Sequence, residues 1–259
     1  MEELKGKIVL VTGGSRGIGR SIARAFAARG SQVVLTGRTQ ATLESVAEEI
    51  HRLGGKALPL TCDVTHKEQV EALKDKVTSQ LGPVQVLINN AGIAPAAGFL
   101  EMADNLWEEV LRVNLTGTYY CSKVFLPEMI ASRWGRIINI ASIVAKVAYS
   151  HTSAYTTSKH AVLGLTRALA LEMARSGVTV NAICPGYVET DLTLNNAKLM
   201  AEKTGKGVEE ALKLMKGSSP QQRLIAPAEV AELALMLASK SADGITGQAI
   251  NIDGGAVMA

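Results

Sequence analysis

The feature that most constrains the fold is a regular alternation between short apolar runs and longer segments of helical period. Seven short runs are rich in β-branched residues, and most are apolar throughout, as expected for strands that are covered on both faces. The predicted strands are Lys7–Thr12, Gln32–Thr36, Ala57–Thr61, Val84–Asn89, Arg136–Ala141, Thr179–Cys184 and Ala249–Ile252. The predicted helices are Ile18–Arg29, Ala41–Leu53, His66–Gln80, Asn105–Ser132, Ser153–Ser176 and Ala228–Ser239. This alternation, with right-handed crossovers, predicts an α/β fold with a doubly wound parallel seven-stranded sheet.

One long segment interrupts the alternation between Pro185-Gly186 and Pro227. Positions 187–226 contain no strand pattern, and the helical composition of Ala197–Met215 is interrupted by two glycines. Connections of this length are usually functional or mobile. The segment leaves the sixth predicted strand at its carboxyl end, where an open α/β sheet binds its ligand. We therefore predict a helical substrate lid over about 187–226, with a plain surface excursion as the alternative.

Length, charge and cysteine content further narrow the classes of protein to which this chain could belong. The 259 residues are 47% hydrophobic and 20% charged, with no linker or repeat, so 1–259 are predicted to form a single domain. A net charge of +3 is too small to favour nucleic acid or a membrane as a partner. Cys62, Cys121 and Cys184 lack metal-ligand spacing, so no metal site is expected. The acidic start and the lack of a run of ~18 apolar residues make the cytoplasm the expected location.

A glycine-rich sequence, Thr12–Gly19 (TGGSRGIG), joins the first predicted strand to the first predicted helix. Glycines allow the backbone to approach a pyrophosphate closely, and the N–H groups at the start of the helix point at the anion. The spacing differs from GxGxxG, and a turn without a ligand is the alternative. The candidate cofactor-binding residues here are Gly13, Ser15, Arg16, Gly17, Ile18 and Gly19.

The end of the second predicted strand bears on the choice between NAD(H) and NADP(H). Enzymes of this design that use NAD usually place an acidic residue there, on the ribose 2′-hydroxyl. This chain has Leu35-Thr36-Gly37-Arg38 instead. The guanidinium of Arg38 suits a 2′-phosphate, and Arg16 could reach the same group. NADP(H) is therefore the predicted cofactor, with a solvated surface arginine as the alternative for Arg38.

Three residues form a candidate reaction centre. Tyr155 and Lys159 are four residues apart near the start of a predicted helix, so they share one helical face. A phenol has a pKa of ~10, and a nearby ammonium would lower that pKa toward neutrality. Ser142 follows the fifth predicted strand, where its hydroxyl could polarise a substrate carbonyl. A Tyr-x-x-x-Lys spacing alone is common on surface helices, and Ser142 alone could be a helix cap.

Taken together, these residues match a known family. The chain resembles the short-chain dehydrogenases/reductases over essentially its whole length, which implies a Rossmann-like fold and dinucleotide-dependent oxidoreductase activity. The shared motifs are Thr12-Gly13-x-x-x-Gly17-x-Gly19, Cys62-Asp63-Val64, Asn89-Asn90-Ala91-Gly92, Asn114, Ser142, Tyr155-x-x-x-Lys159, Pro185-Gly186 and Thr190.

The resemblance also implies roles for individual residues. Tyr155 would be the general acid in carbonyl reduction, with Lys159 on the nicotinamide ribose and Ser142 on the substrate oxygen. Asn114 would fix a water molecule that relays protons to Lys159. The remaining residues implied to bind the cofactor are Asp63 and Val64 at the adenine, Asn90, Ala91 and Gly92 near the adenosine ribose, and Pro185, Gly186, Val188 and Thr190 at the nicotinamide.

Within the family, the chain is similar to 3-oxoacyl reductases of fatty-acid synthesis, acetoacetyl-CoA reductases and polyketide ketoreductases. The expected reaction is NADP(H)-dependent reduction of a 3-oxoacyl thioester. The lid is longer than in the fatty-acid enzymes, which keeps open a bulkier cyclic or polyketide ketone as substrate. Further alternatives are an NAD(P)-dependent dehydrogenase of a secondary alcohol, hydroxyacid or hydroxyacyl-CoA, and a redox sensor that binds NADP(H) without turnover.

Two kinds of protein partner are expected. An acyl carrier protein could dock on cations near the fifth predicted strand and the end of the long predicted helix Ser153–Ser176, namely Arg133, Arg136 and Arg175. The predicted helices Asn105–Ser132 and Ser153–Ser176 are too apolar for solvated surface helices, and family members bury these against a second subunit. A homotetramer is therefore expected, with Ala249–Ala259 at a second interface.

Overall fold

A computed structural model describes residues 2–205 and 207–258. Met1 of the predicted domain, Lys206 of the predicted lid and Ala259 of the predicted second interface lie outside the described residues. The strands are β1 Ile8–Thr12, β2 Gln32–Gly37, β3 Lys56–Thr61, β4 Val86–Asn89, β5 Gly135–Ile140, β6 Val178–Pro185 and β7 Ala249–Ile252. They form one sheet in the order β3-β2-β1-β4-β5-β6-β7, and every neighbouring pair is parallel.

Helices cover both faces of this sheet. They are α1 Gly17–Ala28, α2 Gln40–Arg52, α3 Lys67–Gln80, α4 Asp104–Leu111, α5 Gly117–Ala131, α6 Ser153–Glu172, α7 Asp191–Thr204, α8 Val208–Gly217 and α9 Pro227–Ala238. Successive strand residues point to opposite faces, so Val9 and Val11 enter one core cluster and Ile8 and Leu10 enter the other. The predicted Rossmann-like, doubly wound seven-stranded sheet is confirmed.

The order of the strands fixes where a ligand can bind. β2 and β3 are added to one side of β1, and β4 to β7 are added to its other side. The direction in which strands are added to the sheet therefore reverses between β1 and β4. In such sheets the crevice lies beyond the carboxyl ends of the strands at this reversal. The loops that follow β1, β4, β5 and β6 all leave the sheet at that edge and carry many of the predicted site residues.

The predicted single helix Asn105–Ser132 is interrupted. Between α4 and α5, residues Arg112–Thr116 form a π-helical turn, which places one extra residue in the turn and carries Asn114. Such turns are rare and often occur at functional sites. The predicted helix is otherwise confirmed to within one residue at each end, and the π-helical turn inside it was not predicted.

The segment 187–226 contains two helices rather than one. α7 ends at Gly205, whose φ of +69° belongs to the left-handed region that favours glycine, and α8 begins after Gly207. A single parallel bridge between Val188 and Ile225 joins the two ends of the segment. The predicted interruption of the helical pattern is therefore confirmed. The two ends of the segment lie side by side.

One predicted docking residue proves to be buried. Arg136 lies near the start of β5, at the edge of the sheet opposite the crevice, and only 1% of its surface is exposed. Its guanidinium pairs with Asp243 and stacks on Trp134. The prediction that Arg136 helps to dock a carrier protein is therefore wrong, because the side chain is not accessible.

Among residues 2–205 and 207–258, no helix has the length and hydrophobicity needed to cross a membrane. Within the same ranges, His, Cys, Asp and Glu side chains form no group of three or more that could hold a metal ion. Cys62, Cys121 and Cys184 are all buried free thiols.

Candidate active site

The loop between β1 and α1 is a backbone cradle. Gly13 and Gly17 have φ values of +63° and +51°, which glycine adopts without strain. A methyl group at Gly19 would overlap the carbonyl oxygen of Gly13 and lie 2.5 Å from Nδ2 of Asn90. The loop therefore has space for a ligand only on its outer side, where no described side chain caps the first turn of α1. Open N–H groups at a helix start fit a pyrophosphate.

Thr12 holds this cradle against the loop that follows β4. Its Oγ1 accepts hydrogen bonds from the backbone N–H groups of Asn90 and Ala91, both at 3.0 Å. In return, Nδ2 of Asn90 donates to the carbonyl oxygens of Thr12 at 2.9 Å and Gly13 at 3.1 Å. The side chain of Asn90 is thus directed at the phosphate loop, and the structure gives it a role in shaping that loop. Thr12 was missed as a site residue, although it begins the glycine-rich motif.

The adenosine side of the crevice lies at the ends of β2 and β3. Arg38 is exposed there, as is Arg16 in the phosphate loop. Burial acts to raise the pKa of Asp63, but hydrogen bonds from Thr65 and the charges of His66 and Arg38 outweigh it and lower that pKa. Asp63 is therefore an anion that accepts from the backbone N–H of Thr65 at 3.0 Å. The structure brings Arg38 and Asp63 into one electrostatic environment.

Val64 has a different position from the one its predicted role suggests. Its side chain is buried, and a methyl group at Gly117 would lie 2.7 Å from its Cγ2. The side chain thus packs against the start of α5, and Val64 offers a ligand only its backbone. Ile18 is similar, since it is partly buried against the core cluster beneath α1.

Ser142 and Tyr155 meet at the carboxyl end of β5. Ser142 caps a short 3₁₀ turn, Ile143–Ala145, because its Oγ accepts from the N–H of Val144 at 3.3 Å. Tyr155, in the first turn of α6, lies close enough to Ser142 for that side chain to oppose the rise in the pKa of the phenol. The capping role and the predicted catalytic position therefore coexist in one residue.

The titration of Tyr155 differs from the prediction. Burial raises the pKa of the Tyr155 phenol, and the hydrogen bond to Ser142 only partly opposes this. Lys159 does not lower that pKa here, because its Nζ donates to the carbonyl oxygen of Ile140 at 2.8 Å and lies 5.8 Å from the centre of the Tyr155 ring. Tyr155 is therefore a neutral phenol near neutral pH, suited to donating a proton.

Lys159 is itself perturbed. Only 5% of its surface is exposed, and burial lowers its pKa from 10.5 to about 8. The ammonium form therefore predominates at pH 7 and loses its proton in the mildly alkaline range. This places a titratable cation beneath Tyr155 at the end of β5.

Asn114 converges on the same point from the π-helical turn. Its carboxamide accepts from the N–H of Ile93 and donates to the carbonyl oxygen of Ile93, both at 2.9 Å. A methyl group at Gly92 would lie 3.2 Å from Oδ1 of Asn114 and 3.7 Å from Nζ of Lys159. Gly92 thus faces both predicted catalytic residues, and a larger residue there would crowd them.

The loop after β6 meets the phosphate cradle. Pro185 ends the strand, and Val188 bridges to Ile225 at the other end of the segment 187–226. Thr190 begins α7, where its Oγ1 accepts from the N–H of Thr193 at 3.4 Å. A methyl group at Gly17 would lie 3.2 Å from Cγ2 of Thr190. The predicted phosphate and nicotinamide segments are therefore neighbours.

Gly186 is fixed by close packing. A methyl group there would lie 3.0 Å from Cβ of Asp253, and the N–H of Gly186 donates to Ile252 at 3.1 Å. The candidate residues therefore line the crevice edge of one sheet. Together they define a class, the dinucleotide-dependent oxidoreductases with a Ser, Tyr and Lys reaction centre.

Comparison with known proteins agrees with this geometry. Residues 7–200 match the family model of the short chain dehydrogenases. The chain is 39% identical over 254 residues to the 3-oxoacyl-(acyl-carrier-protein) reductase FabG of Aquifex aeolicus, covering 98% of each chain. It is 36% identical over 256 residues to the D-beta-hydroxybutyrate dehydrogenase of Cupriavidus necator, covering 97% of this chain and 98% of the relative. The chain belongs to the short-chain dehydrogenase family, as the sequence predicted.

A solved structure of an actinorhodin polyketide ketoreductase variant with NADPH superposes on the chain with a TM-score of 0.95. The sequence identity is 38%, over 99% of this chain and 98% of that one. The whole length of the chain, including the lid segment, thus has a counterpart in a ketoreductase.

Proposed function

We propose that this enzyme reduces a 3-oxoacyl thioester to the 3-hydroxyacyl product with NADPH. The observation that carries the proposal is the position of the neutral Tyr155 phenol beside Ser142 and Lys159 at the carboxyl end of β5. A partly buried proton donor beside a second hydroxyl suits the oxygen of a ketone that is being reduced. FabG and the actinorhodin ketoreductase are named for reductions of this kind.

The residues present fit NADPH. The glycine cradle and the start of α1 suit the pyrophosphate, and Arg16 and Arg38 offer positive charge for the 2′-phosphate. Lys159 would hold the nicotinamide ribose, with Thr190 on the nicotinamide side. The bound cofactor supplies the hydride that adds to the β-carbonyl carbon. The proposed cofactor-binding set is Gly13, Ser15, Arg16, Gly17, Ile18, Gly19, Arg38, Asp63, Val64, Asn90, Ala91, Gly92, Tyr155, Lys159, Pro185, Gly186, Val188 and Thr190.

The protein's own part in the reaction is to orient the ketone and to move a proton. Ser142 and Tyr155 would both donate to the carbonyl oxygen, which fixes the β-carbon within the crevice. Tyr155 would then give its proton to the oxygen as negative charge develops there. Lys159 lies below as an ammonium near pH 7 and would be a source of the proton that restores the phenol. Asn114, beside Lys159 at Gly92, would hold the water that returns a proton to this pair.

The lid supplies apolar surface for an acyl chain. Leu192, Leu194 and Leu199 on α7 are 40–48% exposed. A cavity of about 500 Å³ lies between the first turn of α7 and the end of α8. Its lining combines leucines with charged side chains and includes Thr190, Leu194, Leu212, Lys216 and Leu224. We propose that 187–226 acts as the substrate lid of one domain, 1–259, and takes a chain whose thioester carrier is CoA or an acyl carrier protein.

The outer face of α6 supports a homotetramer. Gly164 has open space where a side chain would stand, and Leu171 is 80% exposed on the same helix. On α5, Tyr119 and Ile130 are also about 40% exposed. We propose that these faces pair between subunits, and that the assembly acts in the cytoplasm. Sedimentation should give a tetramer, and a monomer at micromolar concentration would contradict this arrangement.

The experiment that tests the function is oxidation of NADPH and of NADH with acetoacetyl-CoA, run side by side. We expect turnover with NADPH to be at least tenfold more efficient, and 3-hydroxybutyryl-CoA as the product. Turnover with NADH alone would overturn the role of Arg16 and Arg38. It would favour the second candidate, oxidation of a hydroxyacid or hydroxyacyl-CoA, which the likeness to a hydroxybutyrate dehydrogenase supports.

A further inference from the structure

Ser158 lies between the two candidate catalytic residues of α6 and is completely buried. Its hydroxyl donates to the carbonyl oxygen of Tyr155 at 2.7 Å, one turn earlier in the same helix. The hydroxyl oxygen of Ser158 in turn accepts a hydrogen bond from Nδ2 of Asn114 at 3.0 Å. One hydroxyl group thus links the π-helical turn to the helix that carries Tyr155 and Lys159.

This link uses the second N–H donor of the Asn114 carboxamide. The other two bonds of its carboxamide go to the backbone of Ile93, in the loop after β4. Ile93 alone would fix the carboxamide relative to that loop but not relative to α6. The bond to Ser158 provides the second anchor and fixes the distance between Asn114 and the catalytic helix. Catalytic groups misplaced by about 1 Å can lose on the order of 100-fold in rate.

We propose that Ser158 is a positioning residue for ketone reduction, because its hydroxyl joins Asn114 by hydrogen bonds to the helix that carries Tyr155 and Lys159. This inference rests on the proposed function, in which Asn114 and Lys159 act together. Ser158 itself is completely buried, and its hydroxyl bonds to Tyr155 and Asn114 within the protein. Its contribution should therefore appear in kcat rather than in the KM for NADPH.

The chain offers a closely matched control. Ser122 of α5 is 1% exposed, and its hydroxyl donates to the carbonyl oxygen of Thr118 in its own helix at 2.8 Å. It also accepts from Nδ2 of an asparagine, Asn89, at 3.2 Å. Asn89 belongs to β4 and donates to Asn139 within the sheet. Ser122 thus makes the same kinds of bond as Ser158, but to an asparagine outside the reaction centre.

The test compares Ser158→Ala with Ser122→Ala in steady-state ketone reduction and thermal unfolding. Each substitution removes one buried hydroxyl and leaves one asparagine donor without its partner, so we expect similar decreases in Tm. We expect kcat to fall at least tenfold in Ser158→Ala, with the KM for NADPH within twofold of wild type. In Ser122→Ala, kcat should stay within twofold. Equal kcat values in the two variants would overturn the proposal.

Three further variants make the comparison more stringent. Ser158→Thr retains a hydroxyl and should recover at least a third of wild-type kcat. In an Asn114→Ala background, Ser158→Ala should have less than a twofold further effect, because the residue through which it acts is gone. Independent, multiplicative losses would contradict the proposal. If Ser158→Ala does not fold, Ser158→Cys conserves volume with a poor hydrogen-bonding group and should show the same tenfold loss.

Failure of the proposal for Ser158 can be distinguished from failure of the proposed function. The comparison needs only a ketone that the wild-type enzyme reduces with NADPH. Failure of the wild type on acetoacetyl-CoA with turnover of a cyclic ketone would overturn the thioester substrate, and the variants would then be compared on the cyclic ketone. Wild-type turnover with no difference between the two serine variants would overturn only the role of Ser158.

Discussion

Adding a methyl group at position 19 should weaken cofactor binding while the protein still folds. In the Gly19→Ala variant, the new carbon would overlap the carbonyl oxygen of Gly13 and lie 2.5 Å from Nδ2 of Asn90. Ordinary contacts of a Cβ atom begin at about 3.4 Å, so one side of the phosphate loop must move by roughly 1 Å. The neighbours are a backbone carbonyl and an amide with two hydrogen bonds of its own, so neither can rotate away at low cost.

The displaced atoms form the wall of the phosphate cradle, so the loss should appear in cofactor affinity. We expect the Kd for NADPH to rise at least tenfold, equivalent to about 1.4 kcal/mol. Isothermal titration calorimetry measures this directly. Gly244→Ala is the control, since a methyl group there would meet nothing within 4 Å. Wild-type affinity for NADPH in a folded Gly19→Ala protein would refute the assignment of this loop to the pyrophosphate.

Four further predictions follow from the site and the lid. Tyr155→Phe should lower kcat by about 10²–10⁴-fold while the Kd for NADPH stays within twofold; near-full activity would exclude Tyr155 as the proton donor. Arg38→Leu should raise the KM for NADPH at least tenfold and leave the KM for NADH unchanged. Equal effects on the two KM values would show that Arg38 does not bind the 2′-phosphate. Because burial lowers the pKa of Lys159 to about 8, kcat should fall as pH rises through that value, and a flat profile to pH 10 would contradict this. The bidentate pair with Arg223 lowers the pKa of Glu229 from 4.5 to about 2, so its stabilisation is present above pH 4.5 and is lost as pH falls toward 2; Glu229→Gln should reduce neutral-pH stability by less than about 1 kcal/mol because the pair is exposed, and an equal loss at pH 2 would contradict the linkage.

The centre of the sheet was predictable because its inner strands are buried on both faces. A continuous apolar run has few alternatives in a chain of this composition. The edge strand β7 is only partly buried, and it was still predicted with the bounds Ala249–Ile252 that the structure shows. The helices differed from the predictions mainly at their ends. α6 ends at Glu172 rather than at Ser176, where local hydrogen bonding rather than hydrophobic period decides the boundary.

The π-helical turn was not predictable, because long-range contacts hold it. Arg112–Thr116 has no glycine or proline, and its extra residue is stabilised by the bonds of Asn114 to Ile93 and Ser158. These partners lie 21 and 44 residues away in sequence. Helical periodicity contains no information about them, so the sequence favoured one continuous helix.

The errors at single side chains have the same origin. Arg136 has the composition of a surface cation, but Asp243, 107 residues later, neutralises it in a buried position. For Tyr155, the spacing to Lys159 predicted a lowered pKa, whereas the direction of the ammonium toward Ile140 and the burial of the phenol reverse the sign. The identity and spacing of residues in the sequence predict which of them belong to a site. Their burial and the direction of their hydrogen bonds decide how they titrate.

The central claim is that hydride adds to the β-carbonyl carbon of a 3-oxoacyl thioester while Tyr155 protonates the oxygen. The most direct test is reduction of acetoacetyl-CoA with NADPH that is deuterated at C4 of the nicotinamide, followed by mass spectrometry of the product. We predict 3-hydroxybutyryl-CoA with one deuterium at C3 from one of the two C4 epimers. Deuterium at another carbon, or no reduced product while a hydroxyacid is oxidised with NAD, would contradict the proposed reaction.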